Sequence, residues 1–135
     1  NFKSYIKDDF YNGLVFHRVI DGFMIQGGGF EESGEQKTTK EPIKLESDNG
    51  LKNEEYTIAM ARTMYPNSAT SQFFINTNKN DFLNYNKNNP GYAVFGEVIE
   101  GKEVVDAIEK VETQTKHGMQ DWPVEEVVII SIKLI

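Results

Sequence analysis

The sequence predicts a mostly β fold, a small barrel or sandwich with one or two helices. Short apolar runs recur along the chain, each bounded by Gly, Asn, Asp or Pro. Turn pairs such as Asp21-Gly22 separate neighbouring runs. Only one segment carries a clear helical stripe. The chain has 135 residues and nine phenylalanines, enough for one core. Side chains fill the interior of a small barrel, so a ligand has to bind on its outer face or at a rim.

The elements follow in order. Phe2, Tyr5, Ile6 and Phe10 sit near helical spacing, and Asn12-Gly13 stops the helix. Residues 14–20 and 23–26 read as two strands around Asp21-Gly22. Residues 31–45 are polar and read as an extended surface loop. Residues 57–61 and 72–77 read as short buried strands, with a loop between them. The asparagine-rich stretch 76–91 is a loop anchored by Phe82-Leu83. Residues 92–99 alternate as a strand broken at Gly96. Residues 102–111 form the best helix, with Val104, Val105, Ile108 and Val111 on one stripe. The β-branched run 127–135 reads as the last strand. Nothing along the chain suggests a linker, so one domain over 1–135 is expected.

Composition narrows the function classes. A net charge of −7 argues against a phosphate backbone as partner, so no nucleic acid is expected. No apolar run is long enough for a bilayer, and no membrane partner is expected. The chain has no cysteine, which removes thiolate chemistry and disulfides. A cytoplasmic location fits these numbers, with a leader left open because the sequence starts at Asn1.

The richest stretch runs Phe16-His17-Arg18-Val19-Ile20-Asp21-Gly22-Phe23-Met24-Ile25-Gln26-Gly27-Gly28-Gly29-Phe30. Strand alternation puts Phe16, Arg18 and Ile20 on one face and His17 and Val19 on the other. Arg18 either pairs with a structural carboxylate or projects from a β-surface to grip a carbonyl-bearing ligand such as a peptide. The bulky Phe23, Met24 and Phe74 and the amides Gln26 and Gln72 favour the second reading. An unpaired buried amide costs roughly 1–3 kcal/mol, so two glutamines on apolar strands need a role.

The other constellations read as structure. His17 lies in an apolar strand and reads as a satisfied core histidine. His117 sits in Lys116-His117-Gly118-Met119, read as an exposed loop. Neither histidine has metal-ligand spacing, so no metal is expected. The pairs Asp8-Asp9, Glu31-Glu32, Glu54-Glu55 and Glu125-Glu126 read as solvated surface. Gly27-Gly28-Gly29 lacks the lysine and following helix of a phosphate loop, and reads as a bulge or a close chain approach.

Five blocks then carry a resemblance. They are Phe16-His17-Arg18-Val19-Ile20 with Gly22-Phe23-Met24-Ile25-Gln26-Gly27-Gly28, then Ala59-Met60-Ala61-Arg62, then Ser71-Gln72-Phe73-Phe74-Ile75, and Val94-Phe95-Gly96-Glu97-Val98. In order and spacing they resemble the cyclophilin family of peptidyl-prolyl cis–trans isomerases. The short loop between Ala61 and Ser71 and the segment Gly118-Met119-Gln120-Asp121-Trp122-Pro123 resemble the small bacterial members.

The resemblance implies a closed antiparallel β-barrel capped by helices, with the active site on its outer face. It implies Arg18 as the catalytic arginine, and Phe23, Met24, Phe74 and Leu83 as walls of a proline pocket. Gln26 and Gln72 are implied as polar groups on the substrate backbone. Ala61, Arg62 and Thr63 fall where the family pairs with a bound peptide. The implied partners are proline-containing peptides and folding proteins, and the implied reaction needs no cofactor.

Three departures qualify this. Eukaryotic members often carry tryptophan where Phe82 stands and histidine where Tyr92 stands. Loss of the indole N–H implies weakened binding of cyclosporin, with catalysis retained. The family also begins with a β-hairpin, so the N-terminal pair of strands is expected to be missing here, leaving 127–135 without a neighbour. Two rivals stay open: a proline-peptide-binding or chaperone module without turnover, and a structural β-domain.

Overall fold

The computed structural model describes residues 1–135. Helix α1 (Phe2–Lys7) is followed by β1 (Arg18–Ile20), β2 (Met24–Gly27), β3 (Thr57–Met60) and β4 (Phe73–Asn76). A 3₁₀ turn (Asp81–Leu83) leads to β5 (Val94–Glu97), α2 (Lys102–Glu109), β6 (Thr113–Lys116) and β7 (Met119–Pro123). The fold is thus mostly β with few helices. Strands β1 to β5 form one antiparallel sheet in the order β1-β2-β4-β3-β5, and β6-β7 form a separate ribbon.

Register decides which residues share a face, because directly paired residues project to the same side. Arg18 pairs with Gln26, Gln26 with Phe74, Phe74 with Ala59, and Ala59 with Val94. One row therefore crosses the whole sheet and carries Arg18, Gln26 and Phe74 on a common face. The opposite face carries the row Val19, Ile25, Ile75 and Ile58. Val105 of α2 packs onto Val19, Ile25 and Ile75 there. Tyr5 and Ile6 of α1 pack with Phe10, Tyr11, Leu14 and Phe73. The Tyr11 hydroxyl donates to the Ser71 carbonyl at 2.7 Å, tying the α1 region to the β3–β4 loop.

Three expectations need correction. Residues 127–135 do not form a strand. They meet the chain before β1 through a Val15–Val128 bridge and hydrogen bonds around it, and Ile130 is exposed. A β-branched run makes a strand only where a partner backbone continues alongside it. His117 and Gly118 lie in an exposed loop, which is the tight turn of the β6–β7 hairpin. His117 and Gly118 both adopt left-handed backbone, with φ of 53° and 76°, which the turn requires.

Glu126 is not simply solvated surface. Its carboxylate accepts from the fully buried Trp122 indole at 3.1 Å and pairs with Lys116 at 2.7 Å. Finally, His17 is a core histidine but not a satisfied one. It packs beside Phe30 and Trp122, and its buried Nδ1 has no hydrogen-bond partner. Burial, and then the charge of Arg18, pull its pKa down to about 4.

Candidate active site

The site grows from the cross-sheet row. Arg18 is exposed at the sheet edge, and its Nη1 donates to Gln26 Oε1 at 3.4 Å. Gln26 Nε2 donates in turn to Gln72 Oε1 at 2.9 Å. One hydrogen bond therefore joins the two amides, and Arg18 leans on Gln26. No carboxylate pairs with Arg18, since the ion pairs are Lys40–Asp8, Lys110–Asp21 and Lys116–Glu126. The reading of Arg18 as a structural ion-pair partner is not what the geometry shows. Its charge is available to a ligand.

Beside it, Met24, Ala61, Phe74 and Leu83 are buried in one apolar cluster, with Phe23 and Tyr92 half-buried against it. Phe74 and Tyr92 meet edge-on at 5.7 Å between ring centroids. Phe82 stands at the rim, 65% exposed, with its ring 5.5 Å from Phe23. The result is an apolar socket with an unpaired cation at one side.

Arg62 closes the other side. Its guanidinium lies 4.4 Å over the Tyr92 ring and donates to the Gly91 carbonyl through Nε at 3.1 Å and Nη2 at 2.6 Å. The Arg62 backbone N–H and C=O take no partner within the chain, which leaves them free for an extended peptide. Thr63 differs: its backbone N–H donates to Ser68 Oγ at 2.9 Å. All the residues singled out from sequence thus fall around one groove, but the Thr63 N–H is already occupied.

A cavity of about 590 Å³ lies elsewhere. It lies between α1 and the far end of the sheet, lined by Phe2, Ile6, Ile58, Phe95 and Leu134. Arg62 and Val94 also line it, but it holds neither Arg18 nor the glutamines.

Sequence reasoning missed what holds the glutamines in place. A Cβ on Gly29 would stand 2.5 Å from Gln72 Cγ and 2.6 Å from its Nε2. The triple glycine is a close approach, and Gly29 makes room for the Gln72 side chain. The Gly29→Ala variant is expected to push Gln72 off Gln26 and lower kcat/KM about five- to tenfold. Such a change matches one hydrogen bond of about 1 kcal/mol or somewhat more. A steady-state activity assay beside a circular dichroism spectrum checks this.

Comparison with known proteins places the chain among relatives of one family. The family described as "Cyclophilin type peptidyl-prolyl cis-trans isomerase/CLD" matches residues 1–134. A peptidyl-prolyl cis-trans isomerase of Streptomyces antibioticus is 55% identical, over 100% of this chain and 83% of the relative. Peptidyl-prolyl cis-trans isomerase B of Escherichia coli K12 is 56% identical, over 98% of this chain and 82% of the relative. Among solved structures, a cyclophilin-type isomerase of Cryptosporidium parvum, crystallised in the presence of the dipeptide Ala-Pro, superposes with a TM-score of 0.80. It is 28% identical and covers 97% of this chain and 80% of its own. Relatives named as isomerases do not favour the binding-only or purely structural readings.

Proposed function

This chain belongs to the cyclophilin-type peptidyl-prolyl cis-trans isomerase family, and we propose that it performs that isomerisation in the groove between Arg18 and Arg62. The activity itself is rotation about Xaa-Pro bonds. The residue roles are our reading. The observation that carries them is the row Arg18–Gln26–Phe74, which sets an unpaired guanidinium beside an apolar socket.

The physics is economical. The prolyl bond prefers trans by only about 0.5–1 kcal/mol, yet the barrier is roughly 20 kcal/mol because rotation breaks amide resonance. No bond to a heavy atom is made or lost. The enzyme has to bind the twisted amide better than either planar form. On twisting, the prolyl nitrogen becomes pyramidal and regains a lone pair. Arg18 donates a hydrogen bond to it, and a guanidinium suits this because it stays charged and keeps its donors in a rigid fork. Phe23, Met24, Phe74 and Leu83 hold the pyrrolidine ring. Gln26, Gln72 and the Arg62 backbone hold the flanking peptide while the carbonyl side rotates. Excluding water from the socket strengthens each of these contacts.

The proposal extends to the whole chain as one isomerase domain, to a sheet that forms part of a closed barrel, and to a cytoplasmic location. The barrel is supported by the superposition on the Cryptosporidium parvum protein, and the location rests on composition alone. Phe82 offers no N–H donor at the rim, so cyclosporin is expected to bind weakly while proline peptides bind as substrates.

Amide shift mapping with an Xaa-Pro peptide tests the placement. Perturbations centred on Arg18, Gln72 and Phe74 are expected. Perturbations centred on Phe95 and Leu134 would move the site to the large cavity.

A further inference from the structure

We propose that the buried side chains of Asn53, Asn76 and Asn80, together with Asn84, form one amide network that positions the walls of the proline pocket. The inference rests on the pocket reading given above. Asn53 and Asn76 are fully buried and Asn80 is 3% exposed. Polar groups so deep are as a rule hydrogen-bonded, and these are bonded to one another. Asn76 Nδ2 donates to Asn53 Oδ1 and to Thr57 Oγ1, each at 3.0 Å. Asn80 Nδ2 donates to Asn76 Oδ1 at 2.8 Å. Asn53 Nδ2 reaches Asn84 Oδ1 at 3.1 Å, and the Asn53 backbone N–H donates to the same oxygen at 2.6 Å.

What makes the network more than core filling is where its remaining donors go. Asn80 Nδ2 also donates to the Phe23 carbonyl at 2.9 Å. Asn53 Nδ2 donates to the Leu83 carbonyl at 3.1 Å and reaches the Tyr92 carbonyl at 3.4 Å. Phe23, Leu83 and Tyr92 come from three separate segments outside the named strands, joined in the backbone only by single bonds such as Thr77 N–H to the Phe23 carbonyl and Tyr92 N–H to the Leu83 carbonyl. Their side chains nonetheless belong to one cluster around Phe74. Asn76 lies on β4, two residues beyond Phe74 and on the same face. The network thus references three walls to the strand that carries the fourth. Amides suit the task because each offers donors and an acceptor at once, so a chain of them links several carbonyls without burying charge.

These asparagines touch neither Arg18 nor the amides that support it. Asn80 is therefore a positioning residue, and its loss is expected in substrate binding rather than in turnover. The Asn80→Ala variant is expected to raise KM about fivefold, the equivalent of about 1 kcal/mol, with kcat within about twofold of the parent. Asn84→Ala, at the half-exposed end of the network, is expected to act in the same direction and decides the question if Asn80→Ala does not fold. Val105→Ala, a core truncation under α2, serves as the control for lost stability and is expected to leave KM unchanged. An unchanged KM in folded Asn80→Ala or Asn84→Ala, or an equal rise in Val105→Ala, overturns the inference. Phe74→Ala separates the two claims. If its activity matches the parent, the pocket reading fails; if it collapses while the asparagine variants keep their KM, only the positioning role fails.

Discussion

Replacing Arg18 by alanine is expected to lower kcat/KM by about 10²–10³-fold, the scale seen when one preorganised donor to a developing charge or lone pair is removed. The chain should fold normally, because Arg18 is exposed and its only side-chain hydrogen bond is the long one to Gln26. The loss is expected mainly in kcat, since an interaction made only with the twisted amide does not contribute to holding the planar substrate. Arg18→Lys should recover little. A lysine keeps the charge but not the planar fork that aims donors at one point. A protease-coupled assay with a proline peptide reads both variants, and unchanged activity in Arg18→Ala would remove it from the mechanism.

Acidification is expected to destabilise the fold through His17, with a slope that a His17→Phe variant lacks. The ordinary histidine value is 6.5, and burial and then Arg18 lower it to about 4 in the folded chain. Above about pH 6.5 both states hold neutral imidazole and the residue adds no pH dependence. Between 6.5 and 4 the unfolded chain takes up the proton and the folded chain does not, so stability falls as pH falls. At about 1.4 kcal/mol per unit, some 2–3 kcal/mol is lost by about pH 4.5. Phenylalanine suits the site because Phe30 and Trp122 already flank it and the buried Nδ1 makes no hydrogen bond. Urea unfolding of parent and variant from pH 7.5 to 4.5 isolates the effect. Parallel curves for the two would show that His17 is not its source.

The central strands and the groove were legible because both rest on local pattern. The Phe16–Gln26 stretch sets two short, largely apolar runs on either side of a tight turn, and antiparallel pairing then dictates that Arg18 and Gln26 share a face. The helix at Lys102–Glu109 was legible for the same reason, from one apolar stripe. The β6–β7 hairpin was not, because Thr113–Lys116 is polar and only half-buried and carries no apolar alternation. The left-handed His117-Gly118 pair was its one available signal. The run 127–135 misled because β-branching describes a preference and not a partner.

Within the site, side-chain identities were legible but their supports were not. Gly29 makes room for Gln72, and Asn80 holds the Phe23 carbonyl, across long stretches of chain. Such partners follow from tertiary packing, which no local spacing encodes. Glu126 reads as one of a surface pair until Trp122 is placed beside it.

The central claim is that Arg18 acts on the rotating bond and not on capture of the peptide. Exchange NMR on an Xaa-Pro peptide bound to Arg18→Ala separates these most directly, since it reports the dissociation constant and the cis–trans exchange rate on the enzyme together. The account predicts a Kd within about threefold of the parent and an exchange rate about 10²-fold slower. An unchanged exchange rate, or a loss confined to Kd, would contradict it.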